Sequence, residues 1–128
     1  MRKLNHPHIL KMHEVHETTD MIYVILEYIK DGELFNYIKN TKNIPKKVII
    51  SIMTQLISTI EYLETKAIVH RDIKPENIMI VKEGNDIELK LADFGLAGHT
   101  NNPDFYEAGT PGFMAPEILH PKKYPKEL

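Results

Sequence analysis

Residues 70 to 77 read His-Arg-Asp-Ile-Lys-Pro-Glu-Asn and bring three kinds of reactive side chain close together. These are the carboxylate of Asp72, the ammonium of Lys74 and the amide of Asn77, and a second carboxylate, Asp93, follows later in the chain. Phosphoryl transfer requires a group that accepts a hydroxyl proton, a cation beside the transferred phosphate and oxygen ligands for magnesium. These four side chains can supply all of them.

Two further motifs follow in order, Asp-Phe-Gly at 93–95 and Ala-Pro-Glu at 115–117. Together the three motifs resemble the catalytic and activation loops of protein kinases. A lysine two places after the aspartate, Lys74 here, resembles the pattern of the serine/threonine members of that family. The chain resembles their calmodulin-dependent and AMP-activated branch.

The resemblance implies an α+β, partial protein-kinase fold over residues 1–128. Residues 1–26 would end the small-lobe sheet, 27–33 would form the hinge, and 34–128 would be part of the helical large lobe. Within that lobe the resemblance places the catalytic loop at 70–77 and the activation segment at 93–117.

The resemblance also implies roles for the chemical groups. Asp72 would be the catalytic base, and Lys74 would neutralise charge on the transferred phosphate. Asn77 and Asp93 would hold Mg²⁺ through their side-chain oxygens. The hydroxyl of Thr110 would reach both Asp72 and Lys74. The implied reaction transfers the γ-phosphate of ATP to a serine or threonine hydroxyl of a protein substrate.

In the same way the resemblance implies a nucleotide site, in which backbone groups of the hinge bind adenine. The residues implied to contact ATP are Leu26 as gatekeeper, Glu27 and Ile29 in the hinge, Glu33 at the ribose, Met79, Ala92 and Asp93.

Periodicity predicts the elements that must position these groups. Beyond Pro45, apolar residues recur at three- and four-residue steps as far as Leu63, which predicts a helix that faces the core. A shorter helix is expected over residues 33–38. Strands are predicted at 9–16, 21–26, 68–69, 78–81 and 87–91, and the composition of 21–26 is typical of a strand buried on both faces.

The last two predicted strands are joined by a short polar segment and therefore indicate a hairpin. This hairpin would return Asp93 to the end of the sheet at which Asn77 lies. His70 and Phe94 are expected to pack together rather than to react.

The activation segment departs from the family pattern. Tyr106 stands where related kinases carry a phosphorylated threonine, and Arg71 beside the base suggests control by a charged group on this loop. The hypothesis from the sequence is that Glu107 or Asp104 partly replaces the phosphate. Phosphorylation of Tyr106 or Thr100 is the alternative.

Two glutamates bear on substrate choice. By resemblance, Glu33 and Glu76 would bind basic residues upstream of the target serine or threonine. The alternative is that both are solvated surface residues.

The composition excludes several other classes of function. A net charge of −2 offers no basic surface for nucleic acid, and no apolar run reads as a membrane span. The absence of cysteine excludes disulfides and thiolate metal sites and fits an intracellular, cytoplasmic protein. Oligomeric state is not predicted.

Two segments of the family pattern, a glycine-rich phosphate loop and a Val-Ala-Ile-Lys strand, are not found in these residues. The expectation is that residues 1–128 by themselves are marginally folded and nearly inactive. A non-catalytic binding or decoy module, or an incomplete gene product, is the competing interpretation.

Overall fold

The computed structural model describes residues 4–84, 86–101 and 108–119. This part of the chain contains three two-stranded antiparallel sheets with helices between them, which agrees with the expected α+β class. None of its helices is long and apolar enough to cross a lipid bilayer. The elements are β1 Met12–Glu17, β2 Ile22–Leu26, α1 Leu34–Asn40, α2 Lys46–Thr65, β3 Ile68–Val69, β4 Ile78–Glu83, β5 Asp86–Leu91, β6 Gly98–His99 and α3 Pro116–Leu119.

Helix α2 confirms the helix predicted beyond Pro45, but the expectation that its apolar residues face the core holds only in part. Ile52 and Leu63 are buried, whereas Ile49, Met53, Ile57 and Ile60 are 42–52% exposed. Proline suits position 45 because its missing N–H is not needed by the first helical turn, while its carbonyl accepts the N–H groups of Val48 and Ile49 at 2.9 and 3.2 Å. One face of α2 packs against β5. The residues buried on that face are Val48, Ile52, Thr59 and Leu63.

The β4–β5 hairpin is the centre of the core. Residues facing α2 and the interior alternate with half-exposed ones, which is the period of a strand with one buried face. The buried set is Ile78, Ile80, Ile87, Leu89 and Leu91. This hairpin was expected because two predicted strands are joined by a short polar segment, and the prediction is confirmed.

Strand β2 lies where a strand was predicted, but its expected burial on both faces is wrong. All five residues are exposed, from 39% for Leu26 to 66% for Ile22. Within the described residues β2 is paired with β1 alone. An apolar run in a two-stranded ribbon has the same composition as one inside a layered sheet, so composition did not distinguish them.

Strand β1 also begins later than predicted. The residues before it pair with β5 instead: the Leu10 N–H donates to the Leu91 carbonyl at 2.9 Å, and the Leu91 N–H donates to the His8 carbonyl at 2.8 Å. Ile9 is therefore buried against the core hairpin rather than against β2.

Candidate active site

A short irregular segment carries Asp72, Lys74 and Asn77. It starts at His70, directly after β3, and ends in a 3₁₀ turn at Pro75–Asn77 that leads into β4. The Asn77 side-chain amide donates to the Asp72 main-chain carbonyl at 2.9 Å and to its Oδ2 at 2.8 Å. Asn77 thereby fixes both the backbone and the carboxylate of Asp72.

Asp72, Lys74 and Thr110 form a closed triangle of polar atoms. The Thr110 hydroxyl donates to Asp72 Oδ1 at 2.5 Å, and Lys74 Nζ lies 2.7 Å from the Thr110 oxygen. Lys74 Nζ is also 2.9 Å from Asp72 Oδ2. The contacts expected of Thr110 are present, and the catalytic roles of these residues stay predictions.

The surroundings of Asp72 keep its carboxylate ionised, although its side chain is almost completely buried. Burial by itself raises the pKa of Asp72. Hydrogen bonds from Thr110, Lys74 and Asn77, together with the charge of Lys74, outweigh burial and lower the pKa to about 2. At neutral pH this group is therefore an acceptor of hydrogen bonds only.

His70 supports this segment through two hydrogen bonds of its buried ring. Its Nε2 lies 2.8 Å from the Ala92 carbonyl, and its Nδ1 is within 3.3 Å of the Asp72 N–H, so a neutral ring protonated at Nε2 satisfies both contacts. Burial lowers the pKa of His70, although the Ala92 carbonyl and the carboxylates of Asp72 and Asp93 act in the opposite direction. Its ring meets Phe94 edge to face at 4.7 Å between centroids, as packing residues do.

The β4–β5 ladder brings Asn77 and Asp93 to one end of the hairpin, as predicted. Ile78 pairs with Leu91, and the Ala92 N–H then donates to the Asn77 carbonyl at 2.8 Å. Asp93 follows as an exposed residue, and its Oδ1 accepts the Gly95 N–H at 3.1 Å.

The donor chemistry at this end suits magnesium. Because the Asn77 nitrogen is engaged with Asp72, the amide oxygen is the atom of that group left to bind a cation. The Asp93 carboxylate adds a hard oxygen donor of the kind that Mg²⁺ prefers. Elsewhere in the described ranges, histidines and carboxylates do not gather in groups of three or more that would hold a metal.

The predicted nucleotide residues fall into two groups. Glu33 forms an antiparallel bridge with Met79, and Ala92 is buried one residue before Asp93, so these three lie around the core hairpin. Leu26 ends β2, and Glu27 and Ile29, the residues predicted to form hinge contacts, lie in the segment that follows it.

Glu27 is held at both its backbone and its side chain. Its N–H donates to the Lys11 carbonyl at 2.8 Å, and its carboxylate accepts the Lys11 N–H at 3.2 Å and lies 3.7 Å from Lys90 Nζ. Glu27, predicted as the first hinge residue, is thus bound both to Lys90 of β5 and to Lys11, the residue before β1.

Asp31 is a positioning residue that sequence reasoning did not identify. Its carboxylate accepts the Lys82 N–H at 2.9 Å, and the next residue, Gly32, accepts the Ile80 N–H through its carbonyl at 2.9 Å. The segment before α1 is thus attached to β4, which follows residues 70–77. An Asp-Gly pair is typical of a turn, but nothing local in the sequence indicates a partner 51 residues away.

The hypothesis on phosphate mimicry cannot be placed in the fold, since Asp104, Tyr106 and Glu107 lie outside the described residues. Arg71, next to Asp72, has a φ of +69° and donates through Nε to the Leu96 carbonyl. Thr100 is exposed, and its N–H donates to the Ala67 carbonyl at 2.9 Å.

The structure thus brings a buried carboxylate into contact with a lysine, an asparagine and a threonine hydroxyl, beside a hairpin that leads into Asp-Phe-Gly. These are groups that phosphoryl transfer requires. The family model described as "Protein kinase domain" matches residues 1–128. The chain belongs to the protein kinase family.

Curated relatives are consistent with this family. The chain is 43% identical over 129 residues to serine/threonine-protein kinase DCLK3 of Mus musculus, with 100% of the chain and 16% of that protein covered. The human protein of the same name is also 43% identical, with 20% of its length covered. An SNF1-related protein kinase catalytic subunit of Arabidopsis thaliana is 40% identical over 97% of the chain and 25% of its own length. The chain thus spans a quarter or less of these three relatives.

Proposed function

We propose that the protein transfers the γ-phosphoryl group of ATP to serine or threonine hydroxyls of protein substrates. The proposal rests on the triangle of Asp72, Lys74 and Thr110, in which an alcohol oxygen lies between a carboxylate and an ammonium at 2.5 and 2.7 Å. A substrate hydroxyl needs the same two neighbours during phosphoryl transfer. The names of the relatives, which are serine/threonine kinases, support the choice of alcohol over phenol.

The low pKa of Asp72 indicates how this residue acts. A carboxylate with a pKa of about 2 is too weak a base to remove a hydroxyl proton before the new bond forms. Asp72 therefore orients the hydroxyl by accepting its hydrogen bond, and takes the proton late, as the oxygen gains its bond to phosphorus. Lys74 offsets negative charge beside that oxygen.

ATP and Mg²⁺ are the cofactors that the family implies. Asn77 and Asp93 would hold the metal, which neutralises phosphate charge when bound. Glu33, Met79 and the hinge residues after Leu26 would contact the nucleoside. With no cysteine in the sequence, we further propose an intracellular, cytoplasmic setting for this ATP-dependent reaction.

The test is phosphotransfer from radiolabelled ATP by the protein at its full natural length, comparing wild type with Asp72→Asn. The substitution keeps the size of the side chain and removes its charge. We expect kcat to fall roughly 10²- to 10⁴-fold with the KM for ATP little changed. Lys42→Met, at an exposed position before α2, is the matched control and should retain full activity. Equal turnover by the Asp72→Asn variant would refute the proposal.

We also propose that substrates carry basic residues before the target. Glu33 precedes α1, and α1 packs against the 3₁₀ turn that contains Glu76. Two carboxylates therefore lie on neighbouring elements next to the catalytic loop, where a peptide approaching Asp72 would pass.

A positional scanning peptide library tests this preference. Wild type should select arginine or lysine upstream of the acceptor, and Glu76→Lys should weaken that selection at one position without altering turnover of the least basic peptides. Unchanged selection in both Glu76→Lys and Glu33→Lys would show that the two glutamates are only surface residues.

A further inference from the structure

Gly109 lies where the activation segment crosses the catalytic loop. Its φ of +138° is in the region that L side chains rarely adopt. A Cβ at this position would lie 2.8 Å from the Arg71 carbonyl oxygen and 3.1 Å from Met114 Cγ. The first distance is shorter than carbon–oxygen contacts in proteins, so the two backbones approach this closely only because residue 109 is glycine.

The crossing point is next to the hydrogen bond at the centre of the site. Arg71 is followed by Asp72, and Gly109 is followed by Thr110. The Thr110 hydroxyl meets Asp72 Oδ1 at 2.5 Å. The residue after each crossing partner thus supplies one end of this bond.

We propose that Gly109 is a positioning residue for phosphoryl transfer, which places Thr110 on Asp72 by allowing the activation segment to touch the Arg71 carbonyl. This inference rests on the proposed kinase activity. A methyl group at position 109 would push the backbones apart by about 0.5 Å, which is enough to weaken a short hydrogen bond. Thr110 would then no longer hold the carboxylate and Lys74 in register.

The first test is a double-mutant cycle in phosphotransfer by the full-length protein. We expect Gly109→Ala to lower kcat roughly 10- to 100-fold while the KM for ATP stays within about twofold. In a Thr110→Val background the same substitution should have little further effect, because its partner is already lost. Gly84→Ala is the matched control, since its φ is +61° but the space around its Cβ is open. Full activity of Gly109→Ala, or independent effects of the two substitutions, would overturn the proposal.

The second test does not depend on activity. In protein labelled with ¹³C at threonine methyl groups, Gly109→Ala should move the Thr110 resonance in the direction that Asp72→Asn moves it, and Gly84→Ala should not. An unmoved resonance in a folded Gly109→Ala variant would reject the role of Gly109 even if wild type proved inactive. Lack of phosphotransfer by wild type would reject the proposed function alone.

A second variant separates the two contacts that the added methyl group would make. In Gly109→Ala/Met114→Ala the side-chain contact is removed and the contact with the Arg71 carbonyl stays, so the loss of kcat and the Thr110 shift should both persist. Recovery of wild-type values would show that crowding against Met114, not the backbone crossing, was responsible.

Discussion

At the scale of single residues, the site depends on two buried titratable groups, one kept ionised and the other kept neutral. Asp72 is ionised because three donors converge on its carboxylate, whereas His70 is neutral because burial outweighs its carboxylate neighbours. The His70 ring is fixed by hydrogen bonds with backbone groups, and the Asp72 carboxylate by side-chain donors. Their identities follow from the motif, but their protonation follows from the neighbours that the fold supplies.

We predict that His70→Phe destabilises the fold although it preserves the contact with Phe94. The ring would still pack, but the Ala92 carbonyl and the Asp72 N–H would lose their partners inside the core. Each buried unsatisfied group costs about 1–3 kcal/mol, so the free energy of unfolding should fall by roughly 2–4 kcal/mol in urea denaturation. His13→Phe, at an exposed position of β1, should change it by less than about 0.5 kcal/mol. Equal stabilities would contradict this account of His70.

At the scale of elements, α2 does more than cover the hairpin. The Gln55 amide accepts the Leu89 N–H at 2.9 Å and donates to the Ile87 carbonyl at 2.8 Å, so it pairs with the outer edge of β5 as a strand would. It also donates to the Ser51 hydroxyl at 3.0 Å. The part of this edge between Ile87 and Leu89, which would otherwise leave polar groups unpaired, is satisfied by one helical side chain.

The predicted consequence is a graded series at position 55. Gln55→Leu removes both bonds to β5 and should lower the free energy of unfolding by about 2–4 kcal/mol, while Gln55→Glu keeps the acceptor and should cost less. Ser51→Ala, which removes only the third partner, should cost under about 1 kcal/mol. Thermal or urea unfolding gives the ranking. Equal losses of unfolding free energy in Gln55→Leu and Ser51→Ala would rule out the edge-pairing role.

At the scale of the whole molecule, α2 carries a second apolar face that the described residues leave uncovered. Its members are 42–54% exposed: Ile49, Ile50, Met53, Ile57 and Ile60. A contiguous apolar surface of this kind is characteristic of an interaction site or of self-association.

We predict that residues 1–128, purified alone, associate through this face and bind a hydrophobic dye. Ile50→Lys/Ile57→Lys should reduce both the sedimenting oligomer and the dye fluorescence without lowering the melting temperature by more than roughly 2 °C. Ile52→Lys places a charge on the buried face and should unfold the chain instead. Oligomers that persist in the double variant would locate the association elsewhere.

Much of the fold was predictable because its signals are local. Pro45 and the spacing that follows it located α2, and two strand-like runs joined by a polar segment located β4 and β5. The motif types indicated which groups are available to bind magnesium and phosphate. The burial of β2 was predicted wrongly, because the composition of an apolar strand does not indicate how many other elements pack against it.

The sequence by itself therefore determined the kinds of element, their order, and the chemical groups offered to a phosphoryl-transfer site. Only the tertiary structure decided which face of α2 is covered, that Gln55 pairs with the edge of β5, and that Gly109 lies against the Arg71 carbonyl. These facts join residues more than 30 positions apart, and periodicity and motif spacing describe only neighbours along the chain.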